Sequence, residues 1–248
     1  MNNETSHNNM VPQENFQLTL PVGLDDEATF ANFLVIDANR QLFAELSTWN
    51  KPASRFEFLW LWGKKGSGCS HLLQALCHQL DDKGLRAVYV PLQEHAQIAV
   101  DMLSGLESLD IVCLDGMEAV AGLPDWEHAL FRLYNLMLAR KVRLVVSAGC
   151  APAQLNVTLP DLASRMQTAL VFQLHALDDE GKKAALQLRA RSLGFDLPDE
   201  VVRYLLDHYS REASRLFAVL GQLDKLSLQR KRRITLPLLK ELLQGSAQ

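Results

Sequence analysis

Between Gly63 and His71 the chain reads Gly-Lys-Lys-Gly-Ser-Gly-Cys-Ser-His. Glycines at this spacing ahead of a hydroxyl residue form a loop whose backbone N–H groups cradle phosphates, with a lysine reaching the outer ones. Gly63, Gly66, Gly68 and Ser70 keep that pattern, and Cys69 stands where the lysine belongs. Ser67 and His71 complete the loop, and Lys64 and Lys65 flank it. Those two lysines either compensate in part for the missing cation or form an ordinary solvated turn. The residues therefore predict a nucleotide cradle that lacks the charge needed to steady a terminal phosphate. Cys69 itself has two readings: drift at a lysine no longer required, or a thiol made reactive by a helix N-terminus.

Asp115 ends the apolar run Ile111-Val112-Cys113-Leu114. An acid at the carboxyl end of such a strand can share one magnesium ion with the Ser70 hydroxyl near the β- and γ-phosphates. The competing reading is a turn, since Asp-Gly is a strong turn dipeptide. A hydrolysing protein would usually carry a second acid next, to orient water, and here that position is Gly116. Losing both the lysine and the second acid removes catalysis before it removes binding, because phosphoryl transfer rests on positioning and charge neutralisation. A resident nucleoside diphosphate, ADP in particular, is the expected ligand. No intrinsic ATPase activity is expected.

Arg165 closes the segment Leu159-Pro160-Asp161-Leu162-Ala163-Ser164-Arg165. It is either a favourable charge at a helix C-terminus, worth ~0.3–1 kcal/mol, or a guanidinium delivered in trans to a neighbour's nucleotide, worth roughly 10³–10⁵ in rate. Near the start, Phe16-Gln17-Leu18-Thr19-Leu20-Pro21 interrupts a polar stretch. Leu18 and Leu20 share one side of an extended chain. They either dock on a partner or fold back onto the core. From Pro21 to Thr29 the chain reaches at most ~25–30 Å.

The elements that must hold these groups follow from periodicity. Phe56–Trp62, Ala87–Val90, Ile111–Leu114, Arg143–Ser147 and Ala169–Leu174 are short continuous apolar runs alternating with helical patterns, the mark of a buried parallel sheet. Helices are expected from Ser70 to Leu80 and from Trp126 to Ala139. From Asp178 the strand signal stops and four helical segments follow: 178–193, 198–209, 212–228 and 237–243. The expected organisation is an α/β phosphate-loop core over 25–176, a small all-helical lid over 177–248, and an N-terminal segment, 1–24, carrying the docking peptide.

Hydrophobic residues at 48% and charged residues at 22% describe an ordinary globular chain, and the net charge of -4 argues against autonomous binding to DNA. The basic run Arg230-Lys231-Arg232-Arg233 reads as a solvated turn ending a helix. No secretory signal or membrane-spanning run is evident, and Cys69, Cys77, Cys113 and Cys150 form no metal-ligand pattern. A cytoplasmic location is expected.

From about Gln17 to Leu243 these pieces together resemble the DnaA-related AAA+ regulators of bacterial replication initiation. Thr29-Phe30-Ala31-Asn32-Phe33 is similar to the opening of such domains, which implies an adenine pocket at Phe33, Leu34, Val35 and Ile36. Trp62-Gly63 with Ser70-His71-Leu72-Leu73 resembles the family's phosphate loop. Leu159–Arg165 resembles its arginine-finger segment, and Gln187–Arg191 the start of its lid. Gln17, Leu18, Leu20 and Pro21 resemble the peptide by which bacterial proteins dock on the DNA polymerase III sliding clamp, the β subunit. The resemblance implies a clamp-bound activator of ATP hydrolysis by DnaA, with DNA reached only through the clamp, no membrane partner, and homo-oligomers compatible. After the lid the chain leaves no room for a DnaA-type DNA-binding domain. The family's first sensor position falls at Gly149 and its second at Ser214, with Arg215 adjacent and Arg211 a helical turn away. The alternative is an independent AAA+ ATPase of the helicase-loader type.

Overall fold

The computed structural model describes residues 24–245 except 26, 50, 52 and 54, so the clamp-peptide assignment to Gln17, Leu18, Leu20 and Pro21 lies outside the described residues. Five strands, β1 (Phe58–Gly63), β2 (Ala87–Pro91), β3 (Ile111–Asp115), β4 (Arg143–Ala148) and β5 (Leu170–Leu174), form one sheet in the order β2-β3-β4-β1-β5. Every pairing is parallel. Side chains alternate along a strand, and here both faces are apolar. Trp60, Val112, Leu114, Leu144 and Val146 enter one core, against α3 (Pro124–Arg140) and α4 (Pro160–Met166). Leu59, Leu61, Ile111, Cys113 and Val145 enter a second, against α1 (Arg40–Thr48) and α2 (Cys69–Asp81). That two-sided burial is why β1 to β4 read as unbroken hydrophobic runs, while the edge strand β5 leaves Leu170 and Val171 exposed.

A third core belongs to the four C-terminal helices α5 (Asp179–Ser192), α6 (Asp199–His208), α7 (Ala213–Arg230) and α8 (Leu236–Gly245). Leu186, Val202, Leu205, Leu220, Leu223 and Leu239 are at its centre, each fully buried. The Asp178 carboxylate caps α5 by accepting from Gly181 N–H at 2.7 Å. Lys231, at φ 51°, ends α7 in a left-handed turn, and Arg230 pairs with Glu241 of α8 at 3.0 Å. The basic run is thus a helix terminus, as its charge pattern predicts.

Boundaries shift for local reasons. The first strand begins at Phe58, because Leu144 N–H bonds to Glu57 O and only beyond it does the ladder run. Phe56 lies before the strand, edge-on to Tyr134. Among the described residues no helix is long and apolar enough to cross a membrane.

Candidate nucleotide site and an outlying arginine

The loop after β1 has the form its glycines predict. Gly66 and Gly68 take positive φ, and Gly68 precedes the first turn of α2. The first intrahelical bond is Leu72 N–H to Gly68 O, so the N–H groups of Gly68, Cys69, Ser70 and His71 have no acceptor within the helix. Converging N–H groups at the positive end of a 13-residue helix fit an anion. Lys64, Lys65, Gly66 and Ser70 are exposed, while Ser67 is buried with its N–H bonded to Lys64 O.

Cys69 supplies no charge. Burial pushes its thiol up to about 11, the Ser67 hydrogen bond opposes that, and the Asp115 and Glu118 carboxylates add to it. A thiol that stays protonated is a poor nucleophile, so the redox reading loses its thiolate.

Asp115 is buried, 3% exposed, at the end of β3. It accepts from the Tyr89 hydroxyl at 2.7 Å and from the Ser147 hydroxyl, which also accepts Gly116 N–H at 3.0 Å. Burial, then the Asp115 charge and hydrogen bond, holds the Tyr89 phenol well above its ordinary range, and the hydroxyl also faces Gln74 and Ser70. The sheet and α2 together therefore bring Ser70 and Asp115 around one phenol. Each Asp115 oxygen keeps a lone pair for further ligation. No group of three or more His, Cys, Asp or Glu able to hold a metal occurs among the described residues, so magnesium here would depend on phosphate and water oxygens, as this ion commonly does.

Phe33 lies against the cradle. A Cβ on Gly68 would come within 2.9 Å of its ring, and the ring stacks on Phe43 and meets His71 with centroids 5.5 Å apart. Leu34, Val35 and Ile36 are half-buried in the extended stretch that follows. The segment is strapped down: His71 Nε2–H donates to Thr29 O at 2.9 Å, Asp25 N–H donates to Gln74, and Arg189 of α5 bonds the Glu27 carbonyl and carboxylate. One short stretch thereby ties the loop helix to the lid.

The lid reaches the loop at a second point. A Cβ on Gly66 would lie 3.7 Å from Ala213 N, at the first turn of α7. Arg215 is 69% exposed and pairs with Glu212 at 3.2 Å, while Arg211 turns to Asp179 at 3.9 Å. Gly149, where the resemblance implies the first sensor, has its N–H bonded to Glu118 at 3.1 Å.

Arg165 lies elsewhere. It is exposed at the last turn of α4, its guanidinium 5.8 Å from the Tyr134 ring centre, and no carboxylate pairs with it among the described residues. It precedes β5 by five positions, and Leu59 pairs with Leu170 while Gly63 pairs with Leu174. Four strand residues, ~13 Å, separate those two ends, so Arg165 and the cradle occupy opposite ends of the sheet.

Sequence reasoning missed Tyr89, Ser147, Glu127 and Glu212. A hydroxyl inside an apolar strand needs a partner when buried, and Tyr89 and Ser147 both carried that signal.

A parallel α/β core with a phosphate loop, followed by a four-helix lid touching that loop, is the architecture of an AAA+ protein. Residues 24–173 match the bacterial DnaA ATPase domain and residues 179–243 the Hda lid domain. The chain belongs to the bacterial DnaA ATPase-domain family, with a lid of the Hda type. Similar in fold is domain III of the Thermotoga maritima replication initiation protein DnaA, with TM-score 0.74 and 22% identity over 90% of this chain and 98% of that one. AMPPCP-bound DnaA from Aquifex aeolicus gives 0.64 and 20% over 82% and 67%. A replication initiator DnaA bound to AMPPCP and single-stranded DNA gives 0.67 and 22% over 84% and 69%.

Proposed function

We propose that this protein is a negative regulator of DNA replication initiation that stimulates ATP hydrolysis by DnaA. Clamp-associated through Gln17, Leu18, Leu20 and Pro21, it would dock on DnaA–ATP in the cytoplasm and insert Arg165 into that partner's site, leaving DnaA bound to ADP. The observation that carries the reading is Arg165 itself: exposed, without an acid partner among the described residues, and at the end of the sheet away from its own cradle. A guanidinium supplied in trans neutralises charge on the phosphoryl group in transfer and is worth roughly 10³–10⁵ in rate.

The chain's own nucleotide has a different task. Gly63 to His71 would hold the phosphates of ADP, Phe33 to Ile36 would receive the base, and Ser70 with Asp115 would hold magnesium. The metal would supply charge neutralisation at the phosphates. Two DnaA proteins of similar fold are seen bound to AMPPCP. Neutral Cys69 and Gly116 leave this copy without a steadying cation or a water-orienting acid, so it would bind without turning over. A ligand bound only by the folded form also stabilises it, keeping core and lid in one arrangement.

The test is phosphate release from DnaA–ATP in the presence of DNA-loaded clamp. Arg165→Ala should keep its melting temperature and its clamp affinity yet lose stimulation. Changing Gln17 and Leu20 should lose clamp association and spare ADP binding. Stimulation at the native level by the Arg165→Ala protein would refute the finger, and steady phosphate release by the isolated chain would favour the helicase-loader-type alternative.

A further inference from the structure

We infer that Glu212 makes this cradle select a diphosphate over a triphosphate. The inference rests on the reading that the loop Gly63–His71 holds a nucleotide, and it assigns the phosphate count to a residue outside that loop.

Two of the cations that a third phosphate could draw on are already engaged. Lys65 Nζ lies 3.2 Å from Glu212 Oε1, and Arg215 Nε lies 3.2 Å from Oε2. The Ser214 hydroxyl donates to Oε1 at 3.1 Å. One carboxylate thus takes one cation from the loop's flank and one from the lid, with one oxygen for each. It does so beside the cradle, since Glu212 immediately precedes Ala213, whose N lies 3.7 Å from where a Gly66 Cβ would be. The Lys65 hydrogen bond first, then that of Ser214 and the charges of Lys65 and Arg215, hold its carboxyl below the ordinary range, so it is anionic at neutral pH.

The consequence for ligands follows from charge. The N–H groups at the start of α2 can serve two phosphates without help. A third must be met by a side-chain cation, and Cys69 offers none. Lys65 and Arg215 are the cations adjoining the site through Glu212, and each must leave its carboxylate to reach a phosphate. The carboxylate left behind would then face the additional negative charge directly. A diphosphate requires neither step.

The experiment uses the full chain, with ADP and AMPPCP titrated calorimetrically in magnesium buffer. The native protein should bind ADP the more tightly. Glu212→Gln keeps the side-chain length and removes the charge, and it should shift the affinity ratio toward AMPPCP by roughly three- to tenfold, the effect of one unit charge at ~5–6 Å in a solvated site. Adding K65Q and R215Q to E212Q should erase that gain, a coupling expected only if the freed cations carry it. An unchanged ratio in E212Q overturns the inference and leaves nucleotide binding standing. A gain that survives the triple change overturns the captured-cation account. Failure of the native protein to bind either ligand overturns the nucleotide reading itself.

Discussion

At Gly116 the backbone has φ 79°, and a Cβ there would come within 1.9 Å of the Gln93 amide nitrogen. Writing the water-orienting acid back into the sequence requires it to hold a left-handed backbone and Gln93 to swing aside. Gly116→Asp should yield no phosphate release and should lower stability by about 1–3 kcal/mol, the cost of a strained backbone position with a displaced neighbour. Urea denaturation would measure the loss, and turnover by this single variant would show that Gln93 moves aside freely. The missing acid was legible in the sequence, as was the missing lysine at Cys69. Gln93 was not, because it lies 23 positions upstream in a turn after β2 and only the sheet brings it under Gly116. Glu212 was equally hidden, since nothing local in Arg-Glu-Ala-Ser-Arg shows that its carboxylate faces a lysine of the phosphate loop.

Among the elements, α4 depends on a carboxylate from α3. Glu127 is fully buried and accepts from Gly122 N–H at 2.7 Å, Leu159 N–H at 2.7 Å, and both the N–H and hydroxyl of Thr158. Burial alone would raise its carboxyl, but those hydrogen bonds outweigh burial and hold it below the ordinary range. Leu159 is the residue preceding α4, so Glu127 sets the angle at which the helix leaves the core with Arg165 at its far end. Glu127→Ala leaves several buried donors unpaired and should cost about 3 kcal/mol or more, seen as a melting temperature lower by roughly 6–12 °C. A surface-like response, under about 0.5 kcal/mol, would remove Glu127 from that role. The strands β1 to β4 were readable as apolar runs because each serves two apolar cores, whereas the edge strand β5 leaves Leu170 and Val171 exposed. The loop from Ala151 to Leu159 carries no periodic signal, so the carboxylate that organises it could not be found from spacing.

For the whole molecule, the strap from Asp25 to Phe33 is the feature that joins core, loop and lid. Its contact with His71 gives the assembly a pH dependence. Burial first, then the neighbouring Arg189 charge, lowers the His71 pKa against the opposing effects of Thr29 O and Asp25. The unfolded chain therefore takes up a proton more readily than the folded one. Stability is complete above the ordinary histidine value, about 6.5, and is lost as pH falls from there toward the folded-state value. Thermal melts should show a falling midpoint between about pH 7.5 and 5.5, and His71→Gln should flatten that slope. An identical slope in the variant would assign the acid sensitivity elsewhere.

The opposed placement of Arg165 and the Gly63–His71 loop gives the molecule a front and a back. A contact that sets this molecule's guanidinium against the nucleotide of a different protein runs head to tail, because the two ends that meet are unlike. Any such pair is polar: it leaves an open loop at one end and a spare arginine at the other. Regulation through this contact therefore has a direction, with one member acting and its neighbour acted upon.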